Sequence, residues 1–473
     1  AALRSGGKNF QLATQQLTQY FDGTPPTEYV LDPSVRAFLS AQLPPQIVQD
    51  LENPKWSDRE ARHLEDNMLY SSIAGRIGGT GEDVEHVKRA FDWVVQQVQL
   101  VPAGSLGSTQ VPQVMARPYD VLVRGMGTES EGFWAERGWL FMVLCRQLGV
   151  DSGLLTYTKG NVVEPRFGAA NLNDPAGLLN KAEKPEVAWI TTALIDGKAY
   201  LFDARIGLPV PGPGGVGIAT LEDAMTDPTV LAQLDLPGQA PYGTSMATLL
   251  ASPTKINVLI DSSPGFFSPK MKLLQAELAG KNRTVLYRDP VEQRDHFTRV
   301  LGERLGEVRL WTVPIQVEQR LFLDSQFVQS TLQTLFLFRH EFPLVYARIK
   351  QLRGETSQAI EEYISFRLMK DLPEVIDKKR IIPAEIQHNL DIYATYYLAL
   401  AQLERNNLNQ ARDMFLQVLD LVPEPGPNQP KINMFRWGAH ANLGRIYKAL
   451  GDHRQAIAHL GQSDPTTQFV GNQ

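Results

Sequence analysis

Asp196-Gly197 sits between two runs of strand-forming residues, Ala188 to Leu194 and Ala199 to Phe202, and commits the middle of this chain to an antiparallel hairpin. The pair suits a two-residue turn because both positions tolerate a positive φ. A hairpin cannot stand alone in water and must bury one face against other elements. The flanking sequence supplies those elements at helical period, so the fold class expected is α+β. At 473 residues the chain exceeds one ordinary core, and two to four domains are expected.

Residues 1–81 read as a helical N-terminal region. Phe10, Leu12, Leu17 and Phe21 fall at helical spacing, and Asp32-Pro33-Ser34 starts a second helix that Pro44-Pro45 stops. Ser57 is placed to cap a long helix through Leu64, Met68, Leu69 and Ile73. The glycines from Gly75 to Gly81 end it as a plain turn. No Gly-Lys-Ser/Thr follows them, so they do not read as a phosphate loop.

Glu82 to Pro102 is amphipathic, with Val84, Val87, Phe91, Val94, Val95 and Val98 on one side. Ala135 to Leu148 forms the next helix and Gly149 closes it. Leu154 to Tyr157 is strand-like, and Pro209 to Gly215 is a rigid surface loop. From Lys255 the period alternates: strand 256–260, helix 269–278, strand 284–287, helix 291–305, strand 308–313. That pattern predicts a small α/β unit. Beyond Phe322 only helical periodicity continues.

Residues 82 to about 210 resemble the transglutaminase-like superfamily, whose core is a papain-like α+β fold. The resemblance rests on Asp92-Trp93-Val94 through Val101-Pro102, on Gly132-Phe133-Trp134 opening a helix that ends at Leu148-Gly149-Val150, and on Val187-Ala188-Trp189 with Asp203 sixteen residues later. It implies a Cys-His-Asp triad at 134, 187 and 203. Here those positions hold Trp134, Val187 and Asp203. A helix N-terminus favours a thiolate and a facing imidazole completes the ion pair, but an indole is no such nucleophile and an isopropyl group takes no proton.

The single Cys145 lies eleven residues past Trp134, roughly 16 Å along the helix at ~1.5 Å per residue, among core-like neighbours. It reads as a buried structural thiol. No histidine occurs between His86 and His296. The resemblance therefore implies a catalytically degenerate domain, with no catalytic, cofactor-binding or metal residues expected.

An alternative is a hydrolase with relocated chemistry on Glu129, Glu131, Glu136 and Asp203, since paired carboxylates can run acid/base reactions. Asp261-Ser262-Ser263-Pro264-Gly265 ends the first strand of the α/β unit, where ligands often bind, and reads as a capping turn. Gly243-Thr244-Ser245-Met246-Ala247 matches the phrase around the subtilisin nucleophile. Its companion motifs are missing, so it reads as coincidence.

Residues 340–465 resemble degenerate tetratricopeptide repeats, whose helix hairpins bind proteins or peptides. The clearest unit is Tyr396 to Pro423 with Asn406-Asn407 at its turn. Others centre on Gly451-Asp452 and Arg353-Gly354, and Pro423-Glu424-Pro425-Gly426-Pro427 reads as an insertion.

The expected divisions are 1–81 helical, 82–225 transglutaminase-like, 226–318 linker and small α/β unit, and 319–473 tetratricopeptide-like. A net charge of −6 gives no footprint for nucleic acid, and no apolar run suffices to span a membrane. A start at Ala-Ala-Leu-Arg-Ser without an initiator Met fits either a trimmed chain or a mature form from which a signal or anchor has been removed; the second alternative implies an exported or envelope-associated bacterial protein, and the compartment stays open. The combined expectation is a non-catalytic protein-binding scaffold, with a protein or peptide partner on the helical repeats and no cofactor.

Overall fold

Capping chemistry sets the first helices of the computed structural model. It describes residues 10–79, 81–102, 115–129, 135–158, 186–235, 255–278, 284–323, 343–368, 384–422, 424, 434–462 and 466–473. Helix α1 spans Phe10–Tyr20, α2 Pro33–Ser40 and α3 Pro45–Leu51. Asp32 caps α2 by accepting from Ser34 N at 2.9 Å. Pro45 stops one helix and starts the next, because a proline at N1 loses no intrahelical bond. Helix α4, Asp58–Gly78, opens on a capping box in which Glu60 reaches back to Ser57 N at 2.8 Å. The glycine turn that follows is held by Arg89, which donates to Ile77 O and Gly78 O.

Helix α5 spans Asp83–Gln97, α6 Pro118–Arg124 and α7 Ala135–Gln147. Leu140 through Cys145 are all buried, so α7 is a central helix without an outward face. Strands β1 (Gln99–Pro102) and β2 (Met126–Glu129) form a small parallel pair.

The main sheet has six strands: β3 (Asp151–Thr158), β4 (Glu186–Ile195), β5 (Lys198–Asp203), β6 (Leu208–Pro209), β7 (Ile256–Asp261) and β8 (Leu305–Trp311). Their order is β6-β5-β4-β3-β7-β8, antiparallel except for β7 beside β8. Asp196 and Gly197 take φ of 50° and 71°, the primed turn that fits hairpin twist. Helices α8 (Leu221–Thr226) and α9 (Pro228–Ala232) follow β6, and α10 (Pro269–Glu277) and α11 (Pro290–Leu301) cross from β7 to β8.

Beyond the division expected at 226, β7 and β8 extend β3 within the same sheet, and a core cluster runs from Leu31 to Leu352. The helical N-terminal region joins it through Leu69, Tyr70 and Ile73 of α4. Residues 284–287 form no strand. Side-chain amides replace the ladder: Gln147 Oε1 accepts from Val285 N, and Gln275 Oε1 accepts from Leu286 N and Tyr287 N.

After α12 (Val313–Leu323) the described residues form three helix hairpins: α13 (Pro343–Arg353) with α14 (Thr356–Leu368), α15 (Ala384–Glu404) with α16 (Leu408–Leu421), and α17 (Met434–Ala449) with α18 (His453–Leu460). Each turn repeats one device. Gly354, Asn406 and Gly451 are left-handed at φ 93°, 58° and 80°. The next residue's N–H then reaches back five residues, to Lys350 O, Gln402 O and Tyr447 O, each at 2.9 Å.

The hairpins share a second core and fasten to the sheet region by buried polar contacts. Arg348 donates to Leu122 O and to Gln97 Oε1, Tyr397 to Arg124 O, and Trp93 to Glu404 Oε1. No helix among the described residues is long and apolar enough to cross a membrane.

Candidate functional site

The transglutaminase-like resemblance directs attention to the first turn of α7. Trp134 and Glu131 lie outside the described residues, and Glu129 is described only as the last residue of β2. Glu136 is 1% exposed and accepts from Ala116 N at 2.6 Å. Arg137 is fully buried and donates to Ala204 O at 3.2 Å, to Val98 O, and to Gln468 Oε1 at 2.6 Å.

Gln468 belongs to a short helix α19, Gln468–Asn472, which docks on the sheet region. The approach is close: a Cβ on Gly471 would come within 1.9 Å of Ile206 O, so only glycine fits. Within the first turn of α7, Glu136 and Arg137 are thus engaged by the protein's own groups, one of them from its C-terminal segment.

Strand phase separates the triad positions from that helix. Phe202 packs on Phe91 of α5 and Phe141 of α7, with ring centroids 5.2 Å and 4.9 Å apart. Asp203, one residue on, belongs to the opposite phase. In β4, Leu155 pairs with Ile190 but Thr156 pairs with Ala188, so Trp189 is the extra residue of a bulge. The bulge keeps register position 187 in phase with 190, and therefore with 203. Positions 187 and 203 share a phase, but it is not the phase of Phe202, which meets α7.

Asp203 is fully buried and forms a two-pronged ion pair with Arg205, at 3.1 Å to Nε and 3.0 Å to Nη2, while Arg205 N donates to Oδ1 at 2.9 Å. This aspartate folds the turn after β5. Cys145 is fully buried, and burial pushes its thiol well above the usual range, away from the thiolate a nucleophile needs. Residues 243–247 lie outside the described residues.

An open cleft lies elsewhere, beyond the carboxyl ends of the parallel strands β7 and β8, where crevices of α/β sheets commonly fall. Its outer half, about 2170 Å³ to the open mouth, runs between α3, α4, the 264–270 segment and α12, with Trp56, Ser268 and Lys270 in its wall. The other half is much smaller and is lined by Arg59, Arg62, Arg117, Asp66 and Glu318 among others. Arg59, His63 and Glu318 line both halves.

Several of these groups are structural. His63 Nε2 donates to Leu286 O at 2.9 Å, and burial holds its pKa down to about 4, so the ring is neutral. Arg117 pairs with Asp66 at 2.7 Å and with Asp120 at 3.0 Å. Asp261 is paired with Arg146 at 2.9 Å and accepts from Ser263 N at 2.9 Å, so the 261–265 segment is a turn that borders the cleft. Arg59 stands 3.5 Å from Glu318, whose carboxyl burial raises to about 7.

Two groups stand apart: among the described residues Trp56 Nε1 and Ser268 Oγ have no hydrogen-bond partner, although the residues are only 3% and 2% exposed. Such a buried orphan costs about 1–3 kcal/mol. Sequence reading missed this cleft. A signal was present, for Arg59, Arg62, His63 and Asp66 repeat at helical spacing on α4 where an amphipathic helix would bury apolar residues.

No family model matches the chain, and neither a curated protein nor a solved structure gives a significant match.

Proposed function

We propose that this chain is a non-catalytic binding scaffold: a transglutaminase-like domain without a working triad, joined to tetratricopeptide-like hairpins that take a protein or peptide partner. The observation that carries the reading is the first turn of α7. Arg137 and Glu136 are buried there against backbone groups, and Gln468 accepts a hydrogen bond from Arg137. A thiol enzyme needs an accessible nucleophile at that place. The one cysteine is buried within the helix instead.

Support for the binding half comes from the hairpins, whose turns repeat the same left-handed device three times. Stacked hairpins offer an extended surface for a partner. The competing hydrolase reading needs Glu129, Glu131, Glu136 and Asp203 to converge; Glu136 and Asp203 already hold Ala116 N and Arg205.

The test uses the full chain. It is incubated with a glutamine peptide and a primary amine, and separately with peptide and ester hydrolysis reporters. No turnover is expected. Turnover lost in Cys145→Ala, or in Glu136→Gln, would overturn the non-catalytic reading. For binding, crosslinking in native extract followed by mass spectrometry should place partner links on residues 343–460. Links confined to the sheet region would count against the hairpins.

A further inference from the structure

We propose that the last hairpin carries an acid-sensitive latch: His440 of α17 and His459 of α18 hold α18, and the C-terminal segment behind it, only while both rings are neutral. The two Nδ1 atoms lie 2.9 Å apart, and the ring planes are tilted by 36°. A bond between two imidazole Nδ1 atoms contains a single hydrogen, donated by one ring to the lone pair of the other. The neutral pair carries one further hydrogen, on one of its two Nε2 atoms. His440 Nε2 is buried and has no hydrogen-bond partner among the described residues. That hydrogen therefore belongs on the partly exposed His459, and His440 is the Nδ1 donor.

Acid has no good place to put a proton. If the bonded pair takes one up, both Nε2 atoms must carry hydrogen, and His440 then buries a charged N–H without an acceptor. Otherwise the bond breaks, because two charged rings would turn N–H against N–H. The surroundings give no relief. The charged groups acting on His440 are His459 and, one turn earlier on α17, Arg436, which Glu424 holds at 2.9 Å. Burial first, and then these cations, keep the His440 pKa down to about 4. Burial also holds His459 low, and its ring stacks on Tyr447 at 5.3 Å. Among the described residues α15, α16 and β1 bring no carboxylate to either ring.

The latch matters because little else holds α18. Of its eight residues Ala456 alone is buried, and Ile457 is 72% exposed. Elements with so few buried apolar contacts open locally at low cost. Leu460 closes on Gly444, where a Cβ would come within 2.4 Å of it. Leu460 O also accepts from Gln473 Nε2 at 3.1 Å, and Gln468 of the same segment accepts from Arg137. Breaking the histidine bond thus frees α18, removes one anchor of residues 466–473 and uncovers the Gly444 and Tyr447 side of α17. The latch does not depend on any partner of the hairpins.

The experiment is hydrogen exchange of the full chain read by mass spectrometry, from about pH 7 to about pH 4.5, with rates corrected for the intrinsic effect of pH. Peptides from 453–473 should open about 10- to 100-fold more in acid, as a histidine moved from 6.5 to about 4 requires. Peptides from 384–421 should keep their protection. His440→Gln retains a side chain that can bond to His459 but takes up no proton, so it should remove most of the acid opening. If that variant is already loose at neutral pH, nitrogen NMR of selectively labelled histidines in the unmodified chain decides. His440 should then appear as the Nδ1–H tautomer and titrate near pH 4. Titration of His440 near the ordinary value of about 6.5, acid opening spread evenly over the chain, or equal acid opening in a folded His440→Gln chain would overturn the proposal.

Discussion

The first turn of α7 and the cleft beyond β7 and β8 both bury charged side chains, yet they use them in opposite ways. At α7, Arg137 and Glu136 are engaged by Ala204 O, Val98 O, Ala116 N and Gln468. In the cleft, Trp56 and Ser268 keep buried polar atoms without partners among the described residues, and they line an open space. The lesson is that motif resemblance and chemical readiness can part company. In the helix that the resemblance singles out, Glu136 and Arg137 are satisfied within the protein, and the place without a motif has the open volume and the orphaned donors.

The largest effect expected from this contrast is at Arg137. Arg137→Met should lower unfolding free energy by about 3–5 kcal/mol in a urea titration, because it strands two buried carbonyls and Gln468. A change under about 0.5 kcal/mol would show that the α7 end is not held as described.

The next is a pH effect inside the cleft. His63 is depressed from 6.5 to about 4, so its contribution is present above pH 6.5 and lost as pH falls through 4. Glu318 is raised from 4.5 to about 7, so its contribution is present below pH 4.5 and lost as pH rises through 7. The two oppose each other, and wild-type stability should vary little between pH 4.5 and 6.5. Glu318→Gln should expose the acid-side loss, and His63→Gln the alkaline-side loss, each on the order of 2–3 kcal/mol. Parallel pH curves for both variants and wild type would refute this.

The smallest effect concerns Cys145. Cys145→Ala should cost only about 1 kcal/mol, for a small cavity in packed surroundings, and the native thiol should resist iodoacetamide. Rapid native alkylation would contradict its burial.

Local signals were the most legible in the sequence. Ser57 with Glu60, Asp196-Gly197, Gly149 and the turns at Gly354, Asn406 and Gly451 each use a residue whose own chemistry dictates the geometry. Long-range choices were not legible. Nothing local to Ile256 or Val308 says that their strands extend the sheet of β3, and the side-chain amides of Gln147 and Gln275 that displace a strand at 284–287 are distant in sequence. The bulge at Trp189 is likewise a property of the pairing, and it sets which phase positions 187 and 203 occupy. The cleft was missed because its residues are contributed by α3, α4, α12 and the turn after β7, and only the polar stripe on α4 was visible in one segment.

The most direct test is turnover by the full chain of a glutamine peptide with a primary amine. The account predicts none above the buffer blank. Turnover that Cys145→Ala abolishes would contradict it.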